Sequence, residues 1–314
     1  MEKREAQGAS LKILIVRFSA IGDCVMAGYA VNDLRATYPD AEITWVVEDR
    51  CEGIVSDSKL VHRKLVLPRS QWRARGELQT LLEQYRWLTG LRKYGFDYGF
   101  DLQGHSKTAW CLRLSGAAKR LSIGATDALA KRLNPIYSGP SLEGQHSVER
   151  SRAVIHSQLP LAKTQSDFLP GEAIEMKPRL VTICIGAGHP MKQVPSPTLV
   201  EVGKKLVESG CEVVYLGGPK DIIEAPSGTT NLAGKTTLEE SIQLIRQSAV
   251  HVAGDTGTGH IAAEVGTPLV TIWGNMPLER FRPYTDRLTL LNKAGVPANV
   301  SAEEILSAVQ GWIS

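Results

Sequence analysis

The stretch Ala249-Val250-His251-Val252-Ala253-Gly254-Asp255-Thr256-Gly257-Thr258-Gly259-His260 carries the strongest indication of the fold. Its apolar first part predicts a buried strand, and a helix-compatible run, 261–265, follows its glycine-rich turn. Small residues there leave backbone N–H groups accessible at a helix N-terminus, where these groups and the helix dipole favour a bound phosphate. An ordinary strand-to-helix turn, capped by its Asp and Thr, has the same pattern, so the rest of the chain has to decide.

Length and composition indicate a globular protein of two domains. At 314 residues, the chain exceeds the roughly 250–300 residues at which a single core usually stops growing. Its 43% hydrophobic and 22% charged residues are near average usage for globular proteins. The net charge of +3 is too small to indicate a nucleic-acid partner, and none is expected.

Cysteine usage and hydropathy favour a cytoplasmic protein. The five cysteines are scattered, odd in number and without a CxxC pair, so we expect buried reduced thiols rather than a disulfide framework or a metal site. No apolar run approaches the ~18–20 residues of a membrane span, and the polar start Met1-Glu2-Lys3-Arg4-Glu5 is unlike a signal peptide. We expect neither a metal nor another cofactor.

Apolar patterning alternates between strand and helix periods almost throughout the chain. A polar segment with Pro170-Gly171, 161–177, indicates a linker. Two doubly wound α/β domains are therefore predicted, 1–165 and 166–314, with ligands at the carboxyl ends of the strands, facing the cleft between the domains. The predicted strands are 11–16, 42–47, 63–67, 98–102, 120–123, 180–185, 212–216, 251–253 and 269–272, and the predicted helices are 23–38, 78–94, 106–114, 148–158, 198–208, 238–247 and 302–313.

Polar clusters follow five of these strands. Because the carboxyl ends of parallel strands share one edge of a sheet, such clusters converge, and a binding site is favoured over five unrelated turns. The clusters are Ser19-Ala20-Ile21-Gly22-Asp23, Asp101-Leu102-Gln103-Gly104-His105-Ser106-Lys107, Gly186-Ala187-Gly188-His189-Pro190-Met191-Lys192, Gly217-Gly218-Pro219-Lys220-Asp221 and Asp255 to His260.

In this order, the clusters resemble glycosyltransferase family 9, the ADP-heptose:lipopolysaccharide heptosyltransferases. The resemblance runs along nearly the whole chain. It implies a GT-B fold of two Rossmann-like domains and an inverting, metal-independent transferase whose donor lies mainly on the second domain. It is carried by Ile13 to Asp23, Asp101-Leu102-Gln103-Gly104 with Lys107, His146-Ser147-Val148-Glu149-Arg150, Gly186 to Lys192 with Pro195, Leu216-Gly217-Gly218-Pro219, and Asp255-Thr256-Gly257 with His260.

Asp23 matches the family's catalytic base. An inverting transfer needs a carboxylate to take the proton of the acceptor hydroxyl while that oxygen attacks the anomeric carbon. The alternative is an N-cap carboxylate for the helix that follows.

Lys192 matches the lysine that contacts the donor diphosphate, where a cation and helix N–H groups can stabilise the ADP leaving group. No DxD pair accompanies it, which is consistent with a lysine doing the work of Mg²⁺. A solvated loop lysine is the alternative.

The other residues that the resemblance assigns to the donor are Gly186, Ala187, Gly188, Asp221, Asp255, Thr256, Gly257 and His260. Asp221 falls near the family's ribose contact, and some heptosyltransferases carry paired Thr where this chain has Ala187 and Gly188.

The basic segment 69–75 corresponds to the family's loop for an anionic acceptor, although a solvated loop fits equally well. The resemblance implies as partners ADP-heptose or a related nucleotide sugar and an anionic glycolipid (Kdo/heptose-lipid A) at the inner membrane surface. It also implies a monomer and a final helix, 302–313, that can pack back on the first domain. The residues expected to meet the acceptor are Ser19, Gly22, Arg69, Arg73, Arg75, Gln103 and Lys107.

Two other functions stay open at this point. A nicotinamide-dependent oxidoreductase also has two α/β domains, but the turn after the first strand lacks GxGxxG. A non-catalytic sugar-nucleotide-binding protein would keep the donor residues without needing a base, and Gly22-Asp23 argues against it.

Overall fold

The computed structural model describes residues 10–56, 59–73, 77–164 and 167–313. The chain separates into two compact units, Met1–Phe168 and Leu169–Ser314. Each unit has its own sheet, helices and hydrophobic core, and each is described by itself.

The first unit is built on a five-stranded parallel sheet in the order β3-β2-β1-β4-β5. Val16 at the end of β1 is in register with Val46 on one side and with Asp101 on the other, so the carboxyl ends of neighbouring strands lie together. The strands are β1 Lys12–Val16, β2 Glu42–Glu48, β3 Arg63–Leu67, β4 Tyr98–Asp101 and β5 Lys119–Ser122.

The helices of the first unit connect these strands or follow the last of them. They are α1 Ile21–Thr37, α2 Arg69–Arg73, α3 Glu77–Gly90, α4 Ser106–Leu114, α5 Ala128–Leu133 and α6 Ser147–His156, with 3₁₀ turns at Asp49–Ile54 and Leu91–Tyr94.

Helix α1 is buried around most of its circumference. Gly28 lies against Phe168, and a Cβ at this position would fall 2.3 Å from the Phe168 ring, so no other residue fits without displacing the ring. Asp33, fully buried, accepts a hydrogen bond from Arg152 Nε of α6 at 2.6 Å and one from the backbone N–H of Thr164 at 2.8 Å. One carboxylate thereby fixes α1 to α6 and to the segment that leads out of the unit.

The second unit is built on a six-stranded parallel sheet in the order β11-β10-β9-β6-β7-β8. Cys184 at the end of β6 is in register with Leu216 at the end of β7, and Gly254 at the end of β9 with Ile272. The strands are β6 Lys177–Cys184, β7 Glu212–Leu216, β8 Thr229–Asn231, β9 Ser248–Gly254, β10 Leu269–Ile272 and β11 Leu288–Leu291. The helices are α7 Ser196–Glu208, α8 Leu238–Gln247, α9 Gly257–Val265, α10 Leu278–Phe281 and α11 Ala302–Ile313, with 3₁₀ turns at Pro190–Lys192 and Pro297–Asn299.

The final helix, α11, contributes its apolar face to the core of the second unit. Ile305, Leu306 and Val309 are buried there with residues of β9 and β10. The apolar stripe of the helix is thereby used within its own unit.

Several elements differ from the sequence prediction. Strands Thr229–Asn231 and Leu288–Leu291 were not predicted. The predicted helix 78–94 is an α-helix to Gly90 and a 3₁₀ turn to Tyr94, which ends at left-handed Gly95. The basic segment expected to be a loop contains helix Arg69–Arg73.

The prediction of buried cysteines is confirmed: all five side chains are buried. Among residues 10–56, 59–73, 77–164 and 167–313, no helix is long and apolar enough to cross a membrane. No group of three or more His, Cys, Asp or Glu side chains in the same ranges is arranged to hold a metal ion.

We predict that Val309→Asp destabilises the second unit, whereas the exposed matched control Ser307→Asp does not. The first change removes apolar burial worth roughly 1.5–3 kcal/mol and places a charge in a core without a partner. Urea unfolding of residues 169–314 should show a loss above about 3 kcal/mol for Val309→Asp and within about 0.5 kcal/mol of wild type for Ser307→Asp. Equal stability of the two variants would contradict the packing of α11.

Candidate active site

The loops after β6 and β7 meet at the carboxyl edge of the second sheet. Asp221 Oδ2 accepts a hydrogen bond from the backbone N–H of Gly218 at 2.6 Å. The same oxygen lies where a Cβ of Gly186 would be only 2.0 Å away, so any side chain at Gly186 would push the carboxylate out. Asp221 is half-buried. Its carboxylate fits against the loop after β6 because Gly186 has no side chain.

An ion pair joins the loop after β6 to the loop after β9. Lys192 Nζ lies 2.7 Å from Asp255 Oδ2. The lysine side chain is 28% exposed and the aspartate side chain 6% exposed, so the carboxylate is buried under a cation that still reaches solvent. The backbone also approaches closely here: a Cβ on Gly254 would lie 3.0 Å from the carbonyl oxygen of Lys192.

Helix α9 begins at Gly257, two residues after Asp255, and Thr256 is the extended N-cap residue between them. No side chain caps the N-terminus; the hydroxyls of Thr256 and Thr258 lie 3.1 Å from each other instead. His260 lies in the first turn but is buried. The N–H groups of the first turn are the unsatisfied donors that favour an anion.

Residues Ala187 and Gly188 form an open part of the β6 loop. Ala187 is half-buried and Gly188 exposed, and no heavy atom lies within 4 Å of a Cβ built on Gly188. Backbone amides are therefore the donors that this stretch offers, in line with the absence of hydroxyl side chains. The structure thus brings Gly186, Asp221, Lys192, Asp255, Thr256 and Gly257 to one edge of the second sheet.

In the first unit, Asp23 is the third residue of α1 rather than its N-cap, which is Ala20. Its Oδ2 lies 2.8 Å from Arg17 Nη2 and accepts the backbone N–H of Ala20 at 3.3 Å. Asp23 thus caps the helix entrance from inside the first turn, with a side chain 33% exposed. Both interactions fall on Oδ2, and no hydrogen bond or ion pair within the described ranges falls on Oδ1. One carboxylate oxygen is fixed and the other is available to a ligand.

Arg17 is itself held from several sides. Its Nη1 donates to the carbonyl oxygen of Leu102, and its backbone N–H to Val46 at 3.3 Å. The indole Nε1 of Trp45 donates to the carbonyl oxygen of Arg17 at 3.1 Å. Sequence reasoning assigned Arg17 no role, although it lies in the segment Ile13 to Asp23 that carries the family resemblance.

Gln103 and Asp101 organise the loop after β4. Gln103 Oε1 accepts the backbone N–H of Phe18 at 2.9 Å, so this residue, expected at the acceptor, also ties its loop to the one that carries Ser19. Asp101 Oδ1 accepts the backbone N–H groups of Gln103 and Gly104, each at 2.9 Å. Burial raises the pKa of Asp101, and these hydrogen bonds, which favour the carboxylate, oppose the rise.

The basic residues expected at the acceptor have unequal surroundings. Arg69 Nη1 pairs with buried Glu48, which also lies 3.2 Å from Arg50 Nε. Lys107 is exposed on the first turn of α4. The backbone of Arg73 ends α2, and Arg75 lies outside the described residues.

Ser19 and Gly22, also expected at the acceptor, are buried and close to Asp23 in sequence. Sequence reasoning missed Glu48, which gave no motif signal.

The sequence model of glycosyltransferase family 9 (heptosyltransferase) matches residues 85–307. The chain is 26% identical over 281 residues to lipopolysaccharide heptosyltransferase 1 of Pseudomonas aeruginosa, covering 84% of this chain and 79% of that one. It is 24% identical over 293 residues to lipopolysaccharide heptosyltransferase 2 of Escherichia coli, covering 84% and 83%.

Solved structures with the same fold include an E. coli heptosyltransferase determined with ADP. It superposes with a TM-score of 0.80 at 22% identity, covering 96% of this chain and 99% of that one. The E. coli ADP-heptose heptosyltransferase II gives a TM-score of 0.79 at 20% identity, covering 96% and 98%. The predicted fold class, GT-B with two Rossmann-like doubly wound domains, is confirmed.

We predict an asymmetry between the two halves of the Lys192–Asp255 pair. Lys192→Met leaves a buried carboxylate without its cation and should cost about 1–3 kcal/mol, less than for a fully buried pair because the lysine reaches solvent. Asp255→Asn should cost less, since the lysine can rehydrate. Urea unfolding of residues 169–314, with exposed Lys204→Met as the control for the side-chain change, measures both. An equal or larger loss for Asp255→Asn would contradict this picture.

Proposed function

The chain belongs to glycosyltransferase family 9, and on that premise we propose that it transfers a heptose from ADP-heptose to an anionic inner-core acceptor of lipopolysaccharide, a Kdo- or heptose-bearing lipid A. Family membership makes the chain a glycosyltransferase, as the sequence predicted, and removes the nicotinamide-dependent oxidoreductase. Heptose transfer is supported by the curated relatives. Inversion, independence of metal ions and the nature of the acceptor are part of the proposal.

The observation that carries the proposal is the Lys192–Asp255 pair directly before the N-terminus of α9. A cation, an uncapped helix N-terminus and a floor of Gly186, Gly254 and Gly257 together suit a diphosphate. We assign the donor to this edge, with Asp221 toward the ribose hydroxyls and Thr256 and His260 beside the phosphates. Ala187 and Gly188 are assigned to the donor through their backbone amides.

The leaving group determines what Lys192 does in the reaction. As the bond between the anomeric carbon and the phosphate oxygen breaks, negative charge grows on ADP. Lys192 and the first-turn N–H groups of α9 stabilise that charge. Asp255 holds the ammonium group in place at 2.7 Å before the donor binds. In the proposed reaction, this lysine supplies the positive charge that a divalent metal supplies elsewhere.

Asp23 is the proposed base. The acceptor hydroxyl gives its proton to Asp23 as its oxygen attacks the anomeric carbon from the face opposite to ADP, which inverts the configuration. Arg17 holds Oδ2, and in this proposal Oδ1, on which no interaction within the described residues falls, takes the proton. Ser19, Gly22, Gln103, Lys107 and the arginines Arg69, Arg73 and Arg75 are assigned to the acceptor. These basic residues suit an acceptor that carries phosphates and carboxylates. We propose that the protein works on this acceptor as a monomer in the cytoplasm, at the inner face of the cytoplasmic membrane.

We expect Asp23→Asn to lower the rate of heptose transfer by ~10²-fold or more, the usual scale of lost general-base catalysis. The change is nearly isosteric, and the amide oxygen can still accept the N–H of Ala20, so folding should be kept. Release of ADP from ADP-heptose with a Kdo-lipid acceptor measures turnover, and calorimetry with ADP measures donor binding, which should not change. The exposed control Asp40→Asn should behave as wild type in both. Near-normal turnover of Asp23→Asn would remove Asp23 from the mechanism, and ADP binding without any transfer by wild type would favour the non-catalytic alternative.

We also expect the isolated second unit to bind ADP in the presence of EDTA and to transfer nothing. The fragment should begin at Leu169, because Arg246 donates to the carbonyl oxygens of Pro170 and Leu169, and should keep α11. Lys192→Met should weaken ADP binding by about 10-fold or more, the scale of a lost charge-assisted hydrogen bond, and Lys204→Met should leave it unchanged. A folded fragment that fails to bind ADP while the full chain binds it would refute this assignment of the donor. An absolute need for a divalent metal in transfer would refute the role of Lys192.

A further inference from the structure

A large apolar pocket lies at the carboxyl edge of the first sheet. Its volume is about 750 Å³, within the range of roughly 300–1,000 Å³ that small-molecule sites occupy. Its floor is formed by Phe18, Leu67 and Trp72, all of which belong to the buried core of the first unit. Phe18 stands five residues before Asp23, so the pocket borders the segment that holds the proposed base.

Two helices form the walls, each with one face. Helix α4 presents Lys107, Trp110 and Leu114, which the spacing of three and four residues places on one side. Helix α3 presents Leu81 and Tyr85 in the same way, along with Leu88 one turn further. Leu81 is 62% exposed, Tyr85 58% and Trp110 41%. Large side chains that line a concave site and remain this exposed mark a surface that binds an apolar ligand.

Both cations of this pocket belong to residues expected at the acceptor. Arg69 and Lys107 are part of its lining. Arg69 shares Glu48 with Arg50, and the Asp49 carboxylate also interacts with Arg50, so the charges of these four side chains balance. Lys107 Nζ has no carboxylate within ion-pair distance among the residues that the structure describes, so its charge is available to an anion. Lining that is mainly apolar and carries two cations matches a ligand with a hydrocarbon chain and an anionic head.

We propose that this pocket takes a fatty acyl chain of the anionic glycolipid acceptor, whose phosphate or carboxylate groups meet Lys107 and Arg69. The proposal rests on the proposed function for the identity of the acceptor. The lining is mainly apolar, and the Thr80 hydroxyl already donates to the carbonyl oxygen of Trp72, which favours the hydrocarbon part of the acceptor at this site. The pocket would place the acceptor by its lipid part, beside the edge where Asp23 acts on its sugar.

A binding experiment with the full chain tests the pocket without any transfer reaction. A series of n-alkyl phosphates from butyl to dodecyl, each below its micelle concentration, is titrated by calorimetry. Each buried methylene should lower the dissociation constant by up to about fourfold, until the chain fills the pocket and the constant levels off. Leu81→Glu should remove the dependence on chain length. Leu82→Glu is the matched control, because Leu82 neighbours Leu81, is 56% exposed and is not part of the pocket lining.

Binding without chain-length dependence in wild type, or equal losses in Leu81→Glu and Leu82→Glu, would overturn the pocket. Equal losses together with weaker binding of both variants to vesicles of anionic phospholipid would identify the face as a membrane-inserting surface instead.

A transfer experiment then links the pocket to the acceptor. Leu81→Glu should raise KM for the acylated acceptor by at least about 10-fold and leave KM for the fully deacylated acceptor within twofold of wild type, with Leu82→Glu unchanged on both. Equal effects on the two acceptors would overturn the assignment to the acyl chain. If wild type transfers heptose to neither acceptor, the proposed function fails, whereas the alkyl phosphate series still decides whether the pocket binds a chain.

Discussion

The structure depends on the parallel, in-register pairing of its strands. Because Val16 pairs with both Val46 and Asp101, and Cys184 with Leu216, the loops that follow the strands within each unit leave from one edge. Backbone hydrogen bonds thereby fix where the chain places its polar residues before any side chain is chosen. The ion pair of Lys192 with Asp255 and the contact of Asp221 with Gly186 are local consequences of this constraint, since each joins loops that are distant in sequence.

The sequence predicted the alternation of strands and helices well, because buried parallel strands are short apolar runs with polar turns after them. Strands 63–67, 212–216 and 269–272 and helices 106–114, 238–247 and 302–313 have the predicted bounds. The family and the fold class are confirmed as well. The elements that were missed, such as Thr229–Asn231, form only because a neighbouring strand is present to pair with them. No property of three residues alone reveals that.

The candidate site shows the same division. Residues in motifs, such as Asp23 and Lys192, could be singled out because a chemical role depends on residue type. Their partners could not, because a partner is defined by a distance. Arg17 meets Asp23 across the turn between β1 and α1, and Glu48 meets Arg69 because β2 pairs with β3. For Asp23, capping does not exclude the proposed role as a base: Oδ2 supports the helix entrance, and no interaction within the described residues falls on Oδ1.

Helix α1 carries Asp23 in its first turn and buries Gly28 against Phe168 and Asp33 against Arg152 further along. The position of the Asp23 carboxylate therefore depends on contacts that lie further along α1. Substitutions along α1 that look purely structural would tilt or shift the helix and carry Asp23 with it. In evolutionary terms, few substitutions along the helix should be tolerated: the proposed chemistry constrains its first turn, and close packing constrains the rest of its length. Variation in this unit should accumulate instead at exposed positions of α3 outside the pocket lining, such as Leu82, where side chains can change without moving Asp23.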